Sequence, residues 1–507
     1  MDAVIAVDAS TTGSKAVAFD AQGNVLAIGR RTIDRDSPQA TWHEQDALQW
    51  WASTAAAIRE VTETLAAQGH TPVALGITHQ RESFVCLDAE YRPLRPAILW
   101  LDARSGDEVR RLGTPRVHEL SGKPPSTTPS FYKLAWLARY EPEVMAATAH
   151  IAEVHACLSY RLTGEFATST ASADPMGLMD VRTGDWSEEL LALVGVSRNQ
   201  LPRLVAPGQL IGTVHDDASR LTGLPTGLPV VAGGGDGQCA GLGAGVVRSG
   251  KAYLSLGTSI TLGCYADSVA VSRGWRVLAS PLGHGVTTEA FIATGALSVS
   301  WFRKAFPQVA VEGDVDVYDT ALETCHGSGL YFLPYLSGSA TPYWDDKSRG
   351  AFVGVNESHD WVDFYRSVLE GLAFETQLLL EQLESASDPI TDVVVMGGGA
   401  ASGRWLQILA DVTGRPLRVS TTTEATALGA GILAAAYCGL VPGGVEAAAA
   451  AMAHTEQVFV PRDAQMEAYA QRFSVYRTIY GALKPVFDQS FEVERALGGF
   501  TQECIQK

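Results

Sequence analysis

Val4-Ile5-Ala6-Val7 runs into Asp8-Ala9-Ser10-Thr11-Thr12-Gly13-Ser14, and Lys15-Ala16-Val17-Ala18-Phe19 leads out again. Two short apolar runs flanking a polar turn read as a strand-turn-strand unit. Asp20-Ala21-Gln22-Gly23-Asn24 reads as a second turn, with Val25-Leu26-Ala27-Ile28 as a third strand. Near mid-chain the pattern returns. Ala252-Tyr253-Leu254-Ser255-Leu256 enters Gly257-Thr258-Ser259 and leaves through Ile260-Thr261-Leu262-Gly263, so that Gly257-Thr258-Ser259 falls where Ser10-Thr11-Thr12 fell. Two such units half a chain apart suggest duplicated halves facing each other.

Between and after these units strands alternate with helices. Asp46 to Gln68 is expected to be helical, with Asp46 as N-cap and Gly69 just past the end. Val73-Ala74-Leu75-Gly76-Ile77 reads as a buried strand, and Val230-Val231-Ala232 enters the turn Gly233-Gly234-Gly235-Asp236-Gly237-Gln238. A helix from Asp360 to Ser387, a strand Val393-Val394-Val395 entering Gly397-Gly398-Gly399, a helix from Thr423 to Gly439 and a helical Ala447 to Ala451 follow. The alternation argues for α/β layers, and 507 residues are too many for one compact core.

Hydrophobic residues form 46% and charged residues 19% of the chain, an ordinary globular balance. A formal net charge of −18 without a Lys/Arg run is ill suited to gripping nucleic acid or an anionic membrane surface. No window offers the roughly 18 uninterrupted apolar residues of a membrane span, and the N-terminus lacks the charged and apolar regions of a leader. The seven cysteines (Cys86, Cys157, Cys239, Cys264, Cys325, Cys438, Cys504) are scattered and never form a CxxC pair, as expected of free thiols in a reducing cytoplasm.

Glycine-rich turns at strand ends present bare backbone N–H groups and make ready anion sites. Glycine also closes ordinary hairpins, so each turn alone carries little. An acidic chain that binds a polyphosphate needs such local dipoles together with a metal. Two tempting motifs fail. Gly245-Val246-Val247-Arg248-Ser249-Gly250-Lys251 matches GxxxxGK, but Ala252 stands where Ser or Thr must hold Mg²⁺, and the segment leads into a strand. Gly397-Gly398-Gly399-Ala400-Ala401-Ser402 does not complete GxGxxG.

Taken together and in order, the motifs resemble those of the FGGY carbohydrate kinases, which include glycerol kinase and xylulokinase. Asp8-Ala9-Ser10-Thr11-Thr12 resembles the first phosphate loop, and Gly76 to Glu82 with Pro96 to Arg104 the substrate-lining stretch. Gly234-Gly235-Asp236 resembles the catalytic aspartate motif, Ser255 to Ser259 the second phosphate loop, and Leu333 to Gly338 with Thr341-Pro342 the mid-domain motif. Gly397 to Ser402 with Trp405, Gln407 and Leu409-Ala410-Asp411 resembles the adenosine site.

The resemblance implies two actin-like (ribonuclease H-like) α/β domains, residues 1–247 and 248–507, with an ATP and substrate cleft between them. It implies Asp236 as general base, Asp8 holding Mg²⁺ through water, and Thr11, Thr12, Gly13, Lys15, Gly257 and Thr258 at the phosphates. It places Gly397, Gly398 and Ser402 at the nucleoside, and Gln80, Arg81, Glu82, Trp100, Asp236 and Gln238 at a small sugar or polyol. Gln80-Arg81-Glu82 is similar to the glycerol kinase branch, whereas Thr127-Thr128-Pro129 and Gly237 depart from it. Leu94 to Trp100 and Gly397 to Asp411 are more similar to xylulokinase, so D-xylulose is the expected acceptor, glycerol the alternative. A cytoplasmic enzyme is implied, with a homodimer left open. Ser10 stands where the family's loop has glycine; serine accepts positive φ less readily, so the sequence does not decide the loop's shape there. The rival from another class is an actin-like ATP-gated module without sugar kinase activity, in which Gln80 to Arg104 and Asp236 would share no purpose.

Overall fold

The structure is a computed structural model that describes residues 1–308, 316–323, 329–385 and 387–497. Two large mixed sheets organise it. The first contains β1 (Asp2–Ala9), β2 (Gly13–Phe19), β3 (Val25–Thr32), β4 (Thr71–His79), β5 (Leu210–Thr213) and β6 (Pro229–Gly235), in the order β5-β6-β4-β1-β2-β3. The second contains β7 (Lys251–Leu256), β8 (Ile260–Ala266), β9 (Arg276–Ala279), β10 (Val286–Ile292), β11 (Asp392–Met396), β12 (Leu417–Ser420) and β13 (Thr455–Phe459), in the order β9-β10-β8-β7-β11-β12-β13.

The duplication read from the two turns extends through both sheets. In each, the opening strand lies centrally, pairs antiparallel with the strand after its turn, and pairs parallel on its other side: β1 with β4, β7 with β11. A further parallel strand and an antiparallel edge strand complete each sheet, β6 and β5 in the first, β12 and β13 in the second. The strand β9 is an addition beyond β10 with no counterpart in the first sheet.

Helix α1 (Ala47–Ala67) covers the first sheet, and Asp46 caps it by accepting from Leu48 N, as its position predicts. Such a cap is worth ~1 kcal/mol. Its inward face, Trp50, Ile58, Val61 and Leu65, packs with Ile5, Leu75 and Val230 into one core. Helix α2 (Asp236–Gly243) follows β6. Helix α3 (Trp361–Glu384), capped by Asp360, packs Val368, Leu372 and Leu379 with Leu254 and Leu262 of the second sheet. Helix α4 (Gly403–Thr413) follows β11 through a short 3-10 turn.

Helix α5 (Ala425–Cys438) joins the two sheets. It follows β12, yet packs Leu428, Ile432 and Leu433 with Val4, Ala6, Phe19 and Val231 of the first sheet. Its small residues permit the crossing with α2: a Cβ on Gly429 would stand 2.0 Å from the Cys239 carbonyl oxygen. Backbone on both sides leaves no flexible group to yield.

Cys86, Cys239 and Cys264 are buried and Cys157 and Cys438 half-buried, all free thiols, while Cys325 and Cys504 lie outside the described residues. Among the described residues no helix is long and apolar enough to cross a membrane.

Candidate active site

Strand register brings distant motifs into one row. Ala9 pairs with His79 and His79 with Gly235, so the carboxyl ends of β1, β4 and β6 are level. Ser10, Gln80 and Asp236 are the next residues along those three strands. In the second sheet Ser255 pairs with Met396, which sets Leu256 beside Gly397 at the mouth of the second turn. A Cβ on Gly397 would stand 3.0 Å from the Leu256 carbonyl oxygen. The carboxyl ends of parallel strands in open α/β sheets are where ligands bind.

The first turn is tied by side chains. Ser10 donates from both its backbone N (2.9 Å) and its hydroxyl (2.8 Å) to the Gly13 carbonyl. Among the described residues the non-glycine positions at positive φ are Glu82, Tyr91 and Trp344, and Ser10 is not one of them. The glycine-to-serine departure therefore adds a hydrogen bond without left-handed strain. Thr11 Oγ1 donates to Gln80 Oε1 (2.9 Å) and accepts from Trp100 Nε1 (2.9 Å). Gln45 Nε2 holds the Thr11 carbonyl at 2.7 Å, and Ile33 N donates to the Thr12 carbonyl. Lys15, expected at the phosphates, is ion-paired at 2.5 Å with Glu424, which also holds Arg30 at 2.9 Å.

Asp8 stands one residue before the end of β1, beside Lys15, Glu424 and Asp236. Burial pushes its carboxyl up to about 7; Lys15 pulls it down and the two neighbouring carboxylates raise it further. A carboxylate so placed suits a hydrated Mg²⁺, which keeps most of its waters and uses one or two carboxylates. Among the described residues no cluster of three or more His, Cys, Asp or Glu forms a closed metal cage.

The second turn uses backbone. Gly257 N donates to the Ser259 carbonyl at 3.1 Å, and the Gly257 and Thr258 carbonyls accept from Ala296 N and Leu297 N. At the third turn Ser402 caps α4 through Trp405 N (3.2 Å) and donates to Asp319 Oδ2 at 2.7 Å. A Cβ on Gly398 would meet open space.

Asp236 opens α2, with one oxygen accepting from Gly237 N at 2.8 Å. Arg81 Nε reaches the same carboxylate at 2.8 Å. The Arg81 Nη1 lies 3.1 Å from both oxygens of Glu289, a wholly buried residue of β10. Tyr253 donates to Glu289 Oε2 at 2.8 Å, and Arg276 pairs with Glu289 and, at 3.2 Å, with Glu82. Burial works against both charged partners, yet the carboxylates hold the Arg81 guanidinium well above its ordinary range. Arg81 and Arg276 likewise draw the Glu289 carboxyl down to about 2. Burial raises the Glu82 carboxyl, opposed by Arg276 and Arg81. Removing one member of a buried pair leaves an uncompensated charge at about 3–5 kcal/mol, so Arg81 and Glu82 are integral to the cleft rather than a surface pair.

The remaining expected acceptor residues divide. Trp100 is exposed at its ring, its carbonyl held by Lys133 at 3.0 Å. Burial pushes the Lys133 ammonium down to about 7. Gln80 is buried with its amide turned to Thr11, Ser83 and Gln45, so it supports the first turn. Gln238 is also buried, donating to Ala171 O (2.7 Å) in a short helix of the first half and to Ala279 O (3.4 Å) of β9 in the second sheet. Glu289, Arg276, Tyr253 and Glu424 were missed in the sequence. The available signal was a lone acid inside the strand-like Val286-Thr287-Thr288-Glu289-Ala290-Phe291-Ile292.

Paired ribonuclease H-like sheets with turns and a carboxylate at their facing strand ends define a two-domain sugar kinase fold. The chain belongs to the FGGY family of carbohydrate kinases: the family's N-terminal domain matches residues 3–243 and its C-terminal domain residues 252–438. It is 31% identical over 496 residues to the xylulose kinase of Escherichia coli K12, covering 95% of this chain and 99% of that one. A glycerol kinase of Alkalilimnicola ehrlichii is 29% identical over 87% of this chain and 91% of its own. The crystal structure of xylulose kinase from Rhodospirillum rubrum superposes with a TM-score of 0.90 at 27% identity, over 96% of this chain and all of that one. Membership of this family implies ATP as co-substrate and a small sugar as acceptor.

Proposed function

We propose that this chain transfers the γ-phosphoryl group of ATP to D-xylulose, forming D-xylulose 5-phosphate. The observation that carries the reading is the end-to-end similarity to a xylulose kinase, 31% identity across 95% of the chain. Strand register supports it by gathering Ser10, Gln80 and Asp236 at one end of the first sheet.

In this reading Asp236 accepts the proton from the attacking hydroxyl, and Arg81 orients its carboxylate through the 2.8 Å ion pair. Phosphoryl transfer depends on in-line placement and charge neutralisation more than on covalent help. Thr11, Thr12 and Gly13 from the first turn and Gly257 and Thr258 from the second offer hydroxyls and backbone N–H groups to the phosphates. Lys15 would reach them only by leaving Glu424. Asp8 would hold Mg²⁺ through water; the ion supplies positive charge at the phosphates. Gly397, Gly398 and Ser402 border the nucleoside, with Asp319 fixing Ser402. Arg81, Glu82 and Trp100 line the acceptor site, and Gln80 and Gln238 brace it from behind. The domains divide at 247/248, close on the sugar and exclude competing water. The net charge of −18 supports a protein without a nucleic-acid partner, and the scattered thiols a cytoplasmic one.

Glycerol is the second reading, favoured by Arg81-Glu82. A coupled ADP-release assay over D-xylulose, L-xylulose, D- and L-ribulose, glycerol, erythritol, D-gluconate and L-fuculose decides between them. The kcat/KM for D-xylulose is expected to exceed the others by at least about tenfold, since a site built to bond hydroxyls penalises a missing one. A higher value for glycerol replaces the first reading with the second, and no stimulated ADP release defeats both.

A further inference from the structure

The acceptor end of the cleft is crowded with charge, and its cations are already engaged. Arg81 is committed through Nε to Asp236 and through Nη1 to both oxygens of Glu289. Arg276 is shared between Glu82 and Glu289. Lys123 pairs with Asp174 at 2.8 Å to both oxygens, and Lys133 donates to the carbonyls of Thr128 (2.6 Å) and Trp100. Three ion-paired cations and Lys133 thus face four carboxylates: Asp236, Glu82, Glu289 and Asp174.

Glu289 is the hub. It lies on β10 of the second sheet, whereas Arg81 follows β4 of the first, so its carboxylate determines the Arg81 guanidinium from across the cleft. A guanidinium held by two carboxylates has a fixed plane. The absence of a side chain at Gly237 makes room for this: a Cβ there would stand 2.4 Å from Glu289 Oε2 and 3.0 Å from Arg81 Nη2.

We propose that Glu289, seated against Gly237, is a positioning residue that orients Arg81 on Asp236 and restricts the acceptor to neutral, hydroxyl-bearing sugars by cancelling the arginine charge an anionic sugar would need. This rests on the reading of Asp236 and Arg81 as acceptor-site residues. An aldonate carboxylate entering the cleft meets two arginines already satisfied by Glu289, with Asp236 and Glu82 beside them. Specificity here comes from repulsion as much as from attraction.

The test compares D-xylulose with the five-carbon aldonate D-xylonate in the full-length enzyme. The wild type should favour D-xylulose in kcat/KM by about a hundredfold or more, the scale of a like-charge mismatch in a desolvated site. Glu289→Gln keeps the shape and removes the charge; it should lower kcat/KM for D-xylulose by about tenfold or more and narrow the D-xylulose to D-xylonate ratio by at least about tenfold. Glu289→Asp should keep the ratio while losing rate. Gly237→Ala keeps every charge but displaces the pair; it should raise the KM for D-xylulose at least about fivefold with the KM for ATP within about twofold. A Glu289→Gln enzyme that loses activity toward both acceptors in proportion, with the ratio unchanged, overturns the proposal. If Glu289→Gln does not fold, Gly237→Ala decides: equal rises in both KM values overturn it. A wild type inactive on D-xylulose defeats the proposed acceptor instead, and a wild type that turns over the two acceptors equally defeats this inference alone.

Discussion

The turn after Ala9 and the turn after Leu256 hold the same station in their sheets, but they are built differently. The first is tied by side chains: Ser10 to Gly13, Thr11 to Gln80 and Trp100, Gln45 to the Thr11 carbonyl. The second is held by backbone, with its carbonyls on the N–H groups of Ala296 and Leu297. Asp8 stands one residue before the end of the strand that enters the first turn, whereas Ser255 holds that place before the second. A duplicated backbone plan therefore carries unequal chemistry. In the proposed reading Thr11 joins the first phosphate turn to the acceptor stretch, whereas among the described residues the second turn makes no side-chain hydrogen bond to that stretch.

The comparison breaks most visibly at Asp236, which opens the helix after β6 and pairs with Arg81. Asp236→Asn should lower kcat by roughly 10²–10⁴-fold, the range for a positioned general base, while calorimetry still detects sugar and ATP binding. Near-normal turnover by the folded variant would remove Asp236 from the mechanism. Arg81→Ala should raise the KM for the acceptor by about 10- to 100-fold and that for ATP by no more than about threefold, since it removes hydrogen bonds from the sugar side. Equal rises would place Arg81 in a general structural role.

The two turns are set directly against each other by Thr11→Val and Thr258→Val. Loss of one neutral hydrogen bond corresponds to about two- to tenfold in affinity. Thr258→Val should raise the KM for ATP by that factor and leave the sugar KM unchanged. Thr11→Val should raise both, because its hydroxyl also seats Gln80 and Trp100. Indistinguishable variants would erase the asymmetry.

The smallest effect concerns Asp8. Its carboxyl sits near 7 when folded, above its ordinary value of 3.8. Between about pH 4 and 7 the folded protein therefore holds this proton more tightly than the unfolded chain, and the group's stabilising contribution is lost as pH rises through that window. Asp8→Asn cannot titrate. In chelator and without nucleotide, its melting midpoint should fall by about 2–4 °C less than that of the wild type between pH 5 and pH 7.5. Parallel curves would show that Asp8 titrates as an ordinary surface acid.

Amino-acid sequence by itself determined the local pieces of this protein. Asp46 before an amphipathic run and Gly69 beyond it marked α1, and apolar runs ending in glycine-rich turns marked β1, β7 and β11, because caps, turns and periodicity act over a few residues. The ordered motifs also carried the family, and they singled out Asp8, Arg81 and Asp236 as candidates for the site. Only the tertiary structure decided what those residues touch. Strand register set residues 10, 80 and 236 side by side, and helix α5 crossed to the opposite sheet to deliver Glu424 to Lys15. The sequence placed Lys15 at the phosphates and could not see that partner, which lies 409 residues away. Glu289 was equally hidden: a single acid within a β-strand pattern declares no partner, and its role arises because two sheets bring Arg81 and Arg276 to it in a space from which water is excluded. Pairing of buried charges is a property of three-dimensional proximity and low dielectric, and neither is written in the local chain.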